Sequence, residues 1–142
     1  MPFAEQKKNS VELLVGQTLL ELIVDPNAHS WRFVFSSDNG INVESSWRVI
    51  KDGEIALTNT DHGQLFGLKK PLDAPTQILT LLPDVVRSVE ISNVADLIIT
   101  FESGAKIEIF NTSSGYESWQ FVGSNKSHMI GVGGGHTAFY IG

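Results

Sequence analysis

The stretch WRFVFSSDNGINV, residues 31–43, alternates apolar and polar side chains, turns, and then alternates again. Apolar side chains at every second position lie on one face of a β-strand. The Asp38-Asn39-Gly40 segment favours a tight turn because Asn and Gly tolerate positive φ. The stretch therefore predicts a β-hairpin with one apolar face, formed by Trp31, Phe33, Phe35, Ile41 and Val43.

The same alternation continues through most of the chain, with further turn signals at Asp52-Gly53 and Ser103-Gly104. Two segments have helical spacing instead. The first spans residues 5–15, with Asn9 as its candidate cap, and the second spans 73–82, where Asp73 can cap the first turn. The predicted fold class is α+β, mainly antiparallel β, with roughly ten strands and two helices.

An internal pseudo-repeat is the most informative feature of the sequence. Residues 31–35 (WRFVF) resemble residues 97–101 (LIITF), and Ser46-Trp47 resembles Ser118-Trp119 in the same order of elements. We therefore expect one domain, residues 1–142, made of two helix-plus-meander halves, 5–70 and 73–142. Chance similarity between two β-rich halves is the alternative. The sheets can join edge to edge, pack face to face or close into a barrel.

Composition limits the possible functions. The chain has 142 residues, 42% of them hydrophobic, which suits one domain with a packed core. Its net charge of -6 argues against a surface that tracks nucleic-acid phosphates. Its lack of cysteine excludes disulfides, thiolate nucleophiles and cysteinyl metal sites. Because no apolar run suits a signal peptide or a membrane helix, we expect a cytoplasmic protein without membrane contact.

The histidines are the first candidates for a site, because imidazole is the usual acid–base group and metal ligand near neutral pH. Their spacing matches no metal motif, so we expect no metal and no cofactor. Asp61 and His62 lie in a polar loop that suits either a binding site or a turn closed by Gly63. His136 ends a glycine run, residues 131–135, that lacks the pattern of a phosphate loop and favours a turn before a last strand.

Residues 113–120 form the densest polar and aromatic segment. There, Glu117 is a candidate acceptor or base, and Tyr116 with Trp119 offers stacking surface, although Trp119 is better explained as core. No nucleophile elbow and no close carboxylate pair occurs in the sequence. We predict no catalytic residues, and we take Asp61, His62, Tyr116, Glu117 and His136 as candidate ligand-binding residues.

Three short segments together carry a resemblance to a known family: Ser46-Trp47-Arg48, Asp61-His62-Gly63-Gln64 and Gly115-Tyr116-Glu117-Ser118-Trp119. In these segments the chain resembles a functionally uncharacterised family of small bacterial β-rich proteins, over about residues 15–135. The resemblance implies a bacterial cytosolic protein and supplies no catalytic residues. It also implies that the second and third segments lie together, at a structural corner or a cleft.

Two functions remain open at this point. The first is a small acidic binding protein without catalytic activity, accessory or immunity-like, that acts on a protein partner or on a second copy of itself as a homodimer. The alternative is a small-molecule binding protein or enzyme with a cleft between the two halves.

Overall fold

The computed structural model describes residues 10–141, with the backbone alone described at 141. Residues 10–12 are helical and are called α1, and eleven strands and a second helix follow. In chain order they are β1 (Leu19–Asp25), β2 (Ser30–Phe35), β3 (Asn39–Val43), β4 (Trp47–Lys51), β5 (Glu54–Thr58), α2 (Ala74–Leu81), β6 (Val86–Ile91), β7 (Leu97–Phe101), β8 (Lys106–Ile109), β9 (Trp119–Val122), β10 (Ser127–Val132) and β11 (His136–Ile141).

The strands form two antiparallel sheets, so the predicted fold class is confirmed. The six-stranded sheet has the order β1-β2-β3-β9-β10-β11, and the five-stranded sheet has the order β5-β4-β8-β7-β6. Their inner faces meet in one apolar core. Ring contacts link the two sheets, since Trp47 of β4 packs edge-on to Trp31 and Phe33 of β2 at centroid distances of 5.1 and 5.3 Å.

Period-two burial is the reason these segments form strands here. In β2 the side chains of Trp31, Phe33 and Phe35 are buried while those of Arg32 and Val34 face outward. The strand β3 has the same inner and outer faces, because buried Phe33 lies opposite Ile41 and outward Arg32 lies opposite Asn42. The apolar face predicted for residues 31–43 is therefore the inner face of the six-stranded sheet.

The helix α2 begins and ends almost where the sequence predicts. Asp73 is its N-cap and accepts a hydrogen bond from the Thr76 N–H, and Pro75 stands in the first turn, where its missing N–H costs nothing. Ala74 and Ile78 are its buried residues. The helix contacts β1 and β5, which are edge strands of different sheets, so it covers one open side of the core.

The first helix differs from the prediction. Residues 5–9, including the candidate cap Asn9, lie outside the described residues. The described part is helical only to residue 12 and not to Val15. Leu13, Leu14 and Val15 donate to carbonyls three residues earlier, so the chain tightens into a turn that ends at Gly16 with φ +83°.

Two of the three predicted hairpin turns are confirmed at Asp52-Gly53 and Ser103-Gly104, where Asp52, Gly53 and Gly104 have positive φ. The third lies earlier than expected, at Ser37 and Asp38, whose φ values are +59° and +60°. Asn39 and Gly40 belong to β3 instead. Asn39 is buried and its side-chain oxygen accepts from the Ser124 N–H, a long-range bond that a local turn signal cannot reveal.

Each sheet combines strands from both parts of the chain. The six-stranded sheet joins β1–β3 to β9–β11, and the five-stranded sheet joins β6–β8 to β4 and β5. The first strands of the two parts each carry a register irregularity within the three residues that follow a shared bridge, Thr18–Val85. Trp47 lies opposite Ile109 in one sheet, and Trp119 lies opposite Val43 in the other.

Candidate functional site

Asp61 takes part in the turn that follows β5. Its carboxylate oxygen Oδ2 accepts the Thr58 N–H at 2.9 Å, and its own N–H donates to the Thr58 carbonyl. Gly63 has φ +83°, a left-handed conformation that glycine adopts without strain. A carboxylate held in this way shapes the loop that carries His62.

His62 joins that loop to α2. Its Nδ1 accepts the Ala74 N–H at 3.1 Å, which satisfies one of the free donors at the start of the helix. Its ring lies edge-on to Trp31, with centroids 5.5 Å apart. Because Nδ1 is an acceptor, the ring hydrogen is on Nε2. His62 therefore presents a donor at the margin of the core.

Tyr116 and Glu117 lie together in the loop before β9, and both are exposed. Tyr116 is 82% exposed, and the Ser113 hydroxyl oxygen accepts its backbone N–H. Glu117 lines a shallow depression with Asn42, Glu44 and Gln120. Trp119 is buried, as the sequence favours, and its indole N–H donates to the Ala95 carbonyl at 2.8 Å.

His136 begins β11, directly after the β10–β11 turn at residues 133–135. Two glycines of the run, Gly131 and Gly133, pack against indole and backbone so closely that no side chain would fit. A Cβ on Gly131 would lie 2.6 Å from Trp119 Cε2, and one on Gly133 would lie 2.5 Å from the Gly115 backbone nitrogen. Close packing therefore accounts for the glycines at 131 and 133.

The depression that Glu117 lines is part of a longer groove on the outer face of the six-stranded sheet. This sheet-face groove is lined by Asp25, Arg32, Asn42, Glu44 and Gln120, with Glu117 at one end, and has a volume of about 320 Å³ in its main part. Arg32, Asn42 and Gln120 lie opposite one another on β2, β3 and β9, so they form a row across three adjacent strands.

A second groove adjoins the first at Asp25 and Trp31. This Trp31–His62 groove has a volume of about 410 Å³ and is lined by Val24, Asp25, Pro26, His29, Trp31, Asn59, Thr60 and His62. Of the predicted site residues, the two grooves take in His62 and Glu117 at their far ends. Asp61, Tyr116 and His136 line neither of them.

The charges of the sheet-face groove are unequal. Three carboxylates, those of Asp25, Glu44 and Glu117, surround one guanidinium, that of Arg32. Within residues 10–141 the one ion pair, at 2.6 Å, is Arg48–Glu108 on the outer face of the other sheet, where Arg48 also lies 5.2 Å from the Phe110 ring. The Arg48–Glu108 pair neutralises part of the charge of the five-stranded sheet, whereas Arg32, Glu44 and Glu117 make no ion pair within residues 10–141.

At its far end the six-stranded sheet carries a cluster of three polar side chains. The Gln120 amide nitrogen lies 3.2 Å from His128 Nδ1 and 3.1 Å from the Tyr140 hydroxyl, and the His128 and Tyr140 rings stack at 4.5 Å. These contacts fix the Gln120 side chain beside the groove.

Sequence patterns did not single out Arg32, Asn42, Glu44 and Gln120 as site residues. Alternation places Arg32 on the outer face of its strand, but it does not reveal that β3 pairs with β9. In that pairing Asn42 lies opposite Gln120, which is 78 positions later in the chain. Only that pairing brings the row together.

Within residues 10–141 no group of three or more His, Cys, Asp or Glu side chains is placed to hold a metal ion. None of the helices in this part of the chain is long and apolar enough to cross a membrane.

The fold and its grooves define a two-sheet antiparallel β protein with an acidic groove on one outer face. The chain belongs to a family of unknown function (DUF6188), whose model matches residues 12–140. No curated protein and no solved structure matches it.

Proposed function

We propose that this protein is a binding protein without catalytic activity, and that its sheet-face groove docks a basic protein partner. The observation that carries the proposal is the charge of the groove, in which Asp25, Glu44 and Glu117 surround Arg32 without an ion pair among the described residues. A net charge of -6 extends the same sign over the whole chain and attracts a cationic partner from a distance.

The groove also indicates what the partner's surface carries. Arg32 lies over Gly40, since a Cβ on Gly40 would be 3.9 Å from Arg32 Nε. A complementary surface places Lys or Arg side chains opposite Glu44 and Glu117, and one acceptor opposite Arg32. A basic protein can supply this pattern of charges. Nucleic acid cannot, because Glu44 and Glu117 repel its phosphates.

The test is titration of the protein with a synthetic nonapeptide of alternating lysine and threonine, followed by amide NMR shifts. We expect shifts on the outward residues of β3 and β9. Glu44→Gln combined with Glu117→Gln weakens binding about threefold or more. Glu90→Gln combined with Glu102→Gln removes the same charge from exposed positions in and beside the other sheet and has a much smaller effect.

Removing Arg32 should have the opposite effect on peptide binding in the same experiment. Arg32→Ala strengthens binding of the lysine peptide because it removes a repelling charge from the groove. Arg87→Ala, an exposed arginine of β6, serves as its control. Equal effects of each variant and its control, or shifts spread over both sheets, would contradict the proposal. A protein that is dimeric at micromolar concentration and does not bind the peptide would also contradict the proposal, because a second copy of the chain would then occupy the sheet-face groove.

We also propose that residues 1–142 form one domain that arose by internal duplication, with halves 5–70 and 73–142. Three observations support this proposal. Each sheet contains strands from both halves, β1 and β6 have register irregularities at matching positions, and the two halves meet at the Thr18–Val85 bridge. Under this proposal Val43 corresponds to Ile109, because each lies opposite a tryptophan, Trp119 and Trp47 respectively.

The bacterial cytoplasm is the compartment that we propose. A chain without cysteine forms no disulfides, so its stability does not depend on an oxidising compartment. Fractionation of the native host, with detection of the untagged protein, tests this. Recovery from the soluble cytosolic fraction is expected, and recovery with the envelope would contradict it.

A further inference from the structure

The two ends of the sandwich at which Trp47 and Trp119 lie are built alike but packed differently. Trp119 reaches the turn that joins the first two strands of the opposite sheet, residues 92–96. Trp47 packs edge-on to Trp31, close to the corresponding turn of the other sheet, residues 26–29. Both turns contain a residue with positive φ shortly before the next strand: His29 (+51°), one residue before β2, and Ala95 (+64°), two residues before β7. The ends can therefore be compared position by position.

The end at Trp119 is closed. Its indole N–H donates to the Ala95 carbonyl at 2.8 Å. Asn111 stabilises the same turn with two hydrogen bonds. Its backbone N–H donates to the Asp96 carboxylate, and its side-chain amide donates to the Val94 carbonyl. The β10–β11 turn lies directly against it, since a Cβ on Gly135 would be 3.1 Å from the Val94 Cα. No space for a ligand is left between the turn and the indole.

The end at Trp47 is open. Trp31 stands where the other end has Leu97, and the Trp31–His62 groove, with about 410 Å³, separates the 26–29 turn from the 59–62 loop. The turn hydrogen-bonds to Asp25, whose Oδ1 accepts the N–H groups of Asn27 and Ala28. The indole N–H of Trp47 is buried and meets no acceptor in the described part of the chain.

Two further donors at this end have no protein acceptor among residues 10–141. His62 Nδ1 accepts from Ala74, which leaves Nε2–H free, and Asn59 Oδ1 accepts the Trp47 backbone N–H at 3.2 Å, which leaves its NH₂ group free. Donors with no protein acceptor, set beside apolar walls, are what a ligand pocket uses to orient a ligand that carries acceptors.

We propose that the Trp31–His62 groove binds a small uncharged molecule of the amide or nitrogen-heterocycle class. Its carbonyl or ring-nitrogen acceptors take hydrogen bonds from His62 and Asn59, and its apolar body lies against Val24, Pro26 and Trp31. An anion is disfavoured because the lining contains the Asp25 carboxylate and neither Lys nor Arg. This site differs from the sheet-face groove and does not depend on the proposed protein partner.

The test uses uracil and nicotinamide as separate probes, each titrated into the ¹⁵N-labelled protein to about 20 mM, where millimolar binding is measurable. We expect at least one probe to shift the Asn59 side-chain signals and the indole signals of Trp31 and Trp47. The Trp119 indole, which is bonded to Ala95 at the closed end, stays unchanged and serves as an internal control.

Thr60→Phe is the blocking variant, because Thr60 is exposed, lines the groove and, within residues 10–141, has a single side-chain hydrogen bond, to the Thr58 hydroxyl. It should weaken binding of the probe about tenfold or more by filling the groove. Thr112→Phe, at an exposed position beside the closed end, should leave binding unchanged. No shift with either probe, equal shifts at Trp119, or unchanged binding by Thr60→Phe would overturn the proposal.

Discussion

Trp119 donates its indole hydrogen to the carbonyl of Ala95 across the gap between the two sheets, at 2.8 Å and fully out of contact with solvent. Trp47, at the matching position of the other sheet, is just as buried and has no such acceptor in the described part of the chain. The two tryptophans therefore form a natural comparison between a satisfied and an unsatisfied indole.

We expect Trp119→Phe to destabilise the protein more than Trp47→Phe. Both substitutions remove similar volume, but only the first leaves a buried carbonyl without its donor, which costs about 1–3 kcal/mol more. Urea unfolding at equilibrium measures the difference. Equal losses of unfolding free energy would show that the bond to Ala95 contributes nothing.

Gly131→Ala should be strongly destabilising. The new Cβ would lie 2.6 Å from Trp119 Cε2, so either the indole or the strand has to move, at a cost of about 1–3 kcal/mol or more. Gly115→Ala is the matched control, because nothing lies within 4 Å of its Cβ position and its φ is not positive. Thermal unfolding of the two variants should differ by several degrees, and coincident midpoints would contradict the packing described for β10.

Asn39→Ala should cost about 1–3 kcal/mol, because it removes a buried acceptor and leaves the Ser124 N–H unpaired. Asn42→Ala, three positions along the same strand and exposed on the outer face, should change the unfolding free energy by less than about 0.5 kcal/mol. Chemical denaturation of both variants tests the assignment of Asn39 to the strand. A harmless Asn39→Ala would mean that the residue acts only as a turn former.

His62→Phe should lower stability by about 1–2 kcal/mol while it keeps a ring against Trp31. The loss arises because the Ala74 N–H at the start of α2 no longer has its acceptor. His29→Gly serves as the control, since His29 is exposed and its φ of +51° suits glycine. Stability that falls equally in both variants, measured by urea unfolding, would contradict a capping role for His62.

Local patterns sufficed for the elements themselves. Alternation in WRFVF defines which face of β2 is buried, and Asp73 with Pro75 defines where α2 begins, because both signals act between residues close in sequence. Turn signals were accurate where the turn is closed by its own residues, as at Asp52-Gly53. They failed at Asn39, whose side-chain oxygen accepts a hydrogen bond from the distant Ser124 N–H.

The candidate site depended on distant pairings. Sequence selected His62 and Glu117 by residue type, and both line grooves, but it could not place Arg32, Asn42 and Gln120 in one row. That row exists because β3 pairs with β9, and strand pairing is decided by the burial of both inner faces in one core rather than by either strand alone. The sequence by itself determined the strands, their buried faces and the acidic charge. The tertiary structure alone decided which strands are neighbours, and so which polar side chains share a groove.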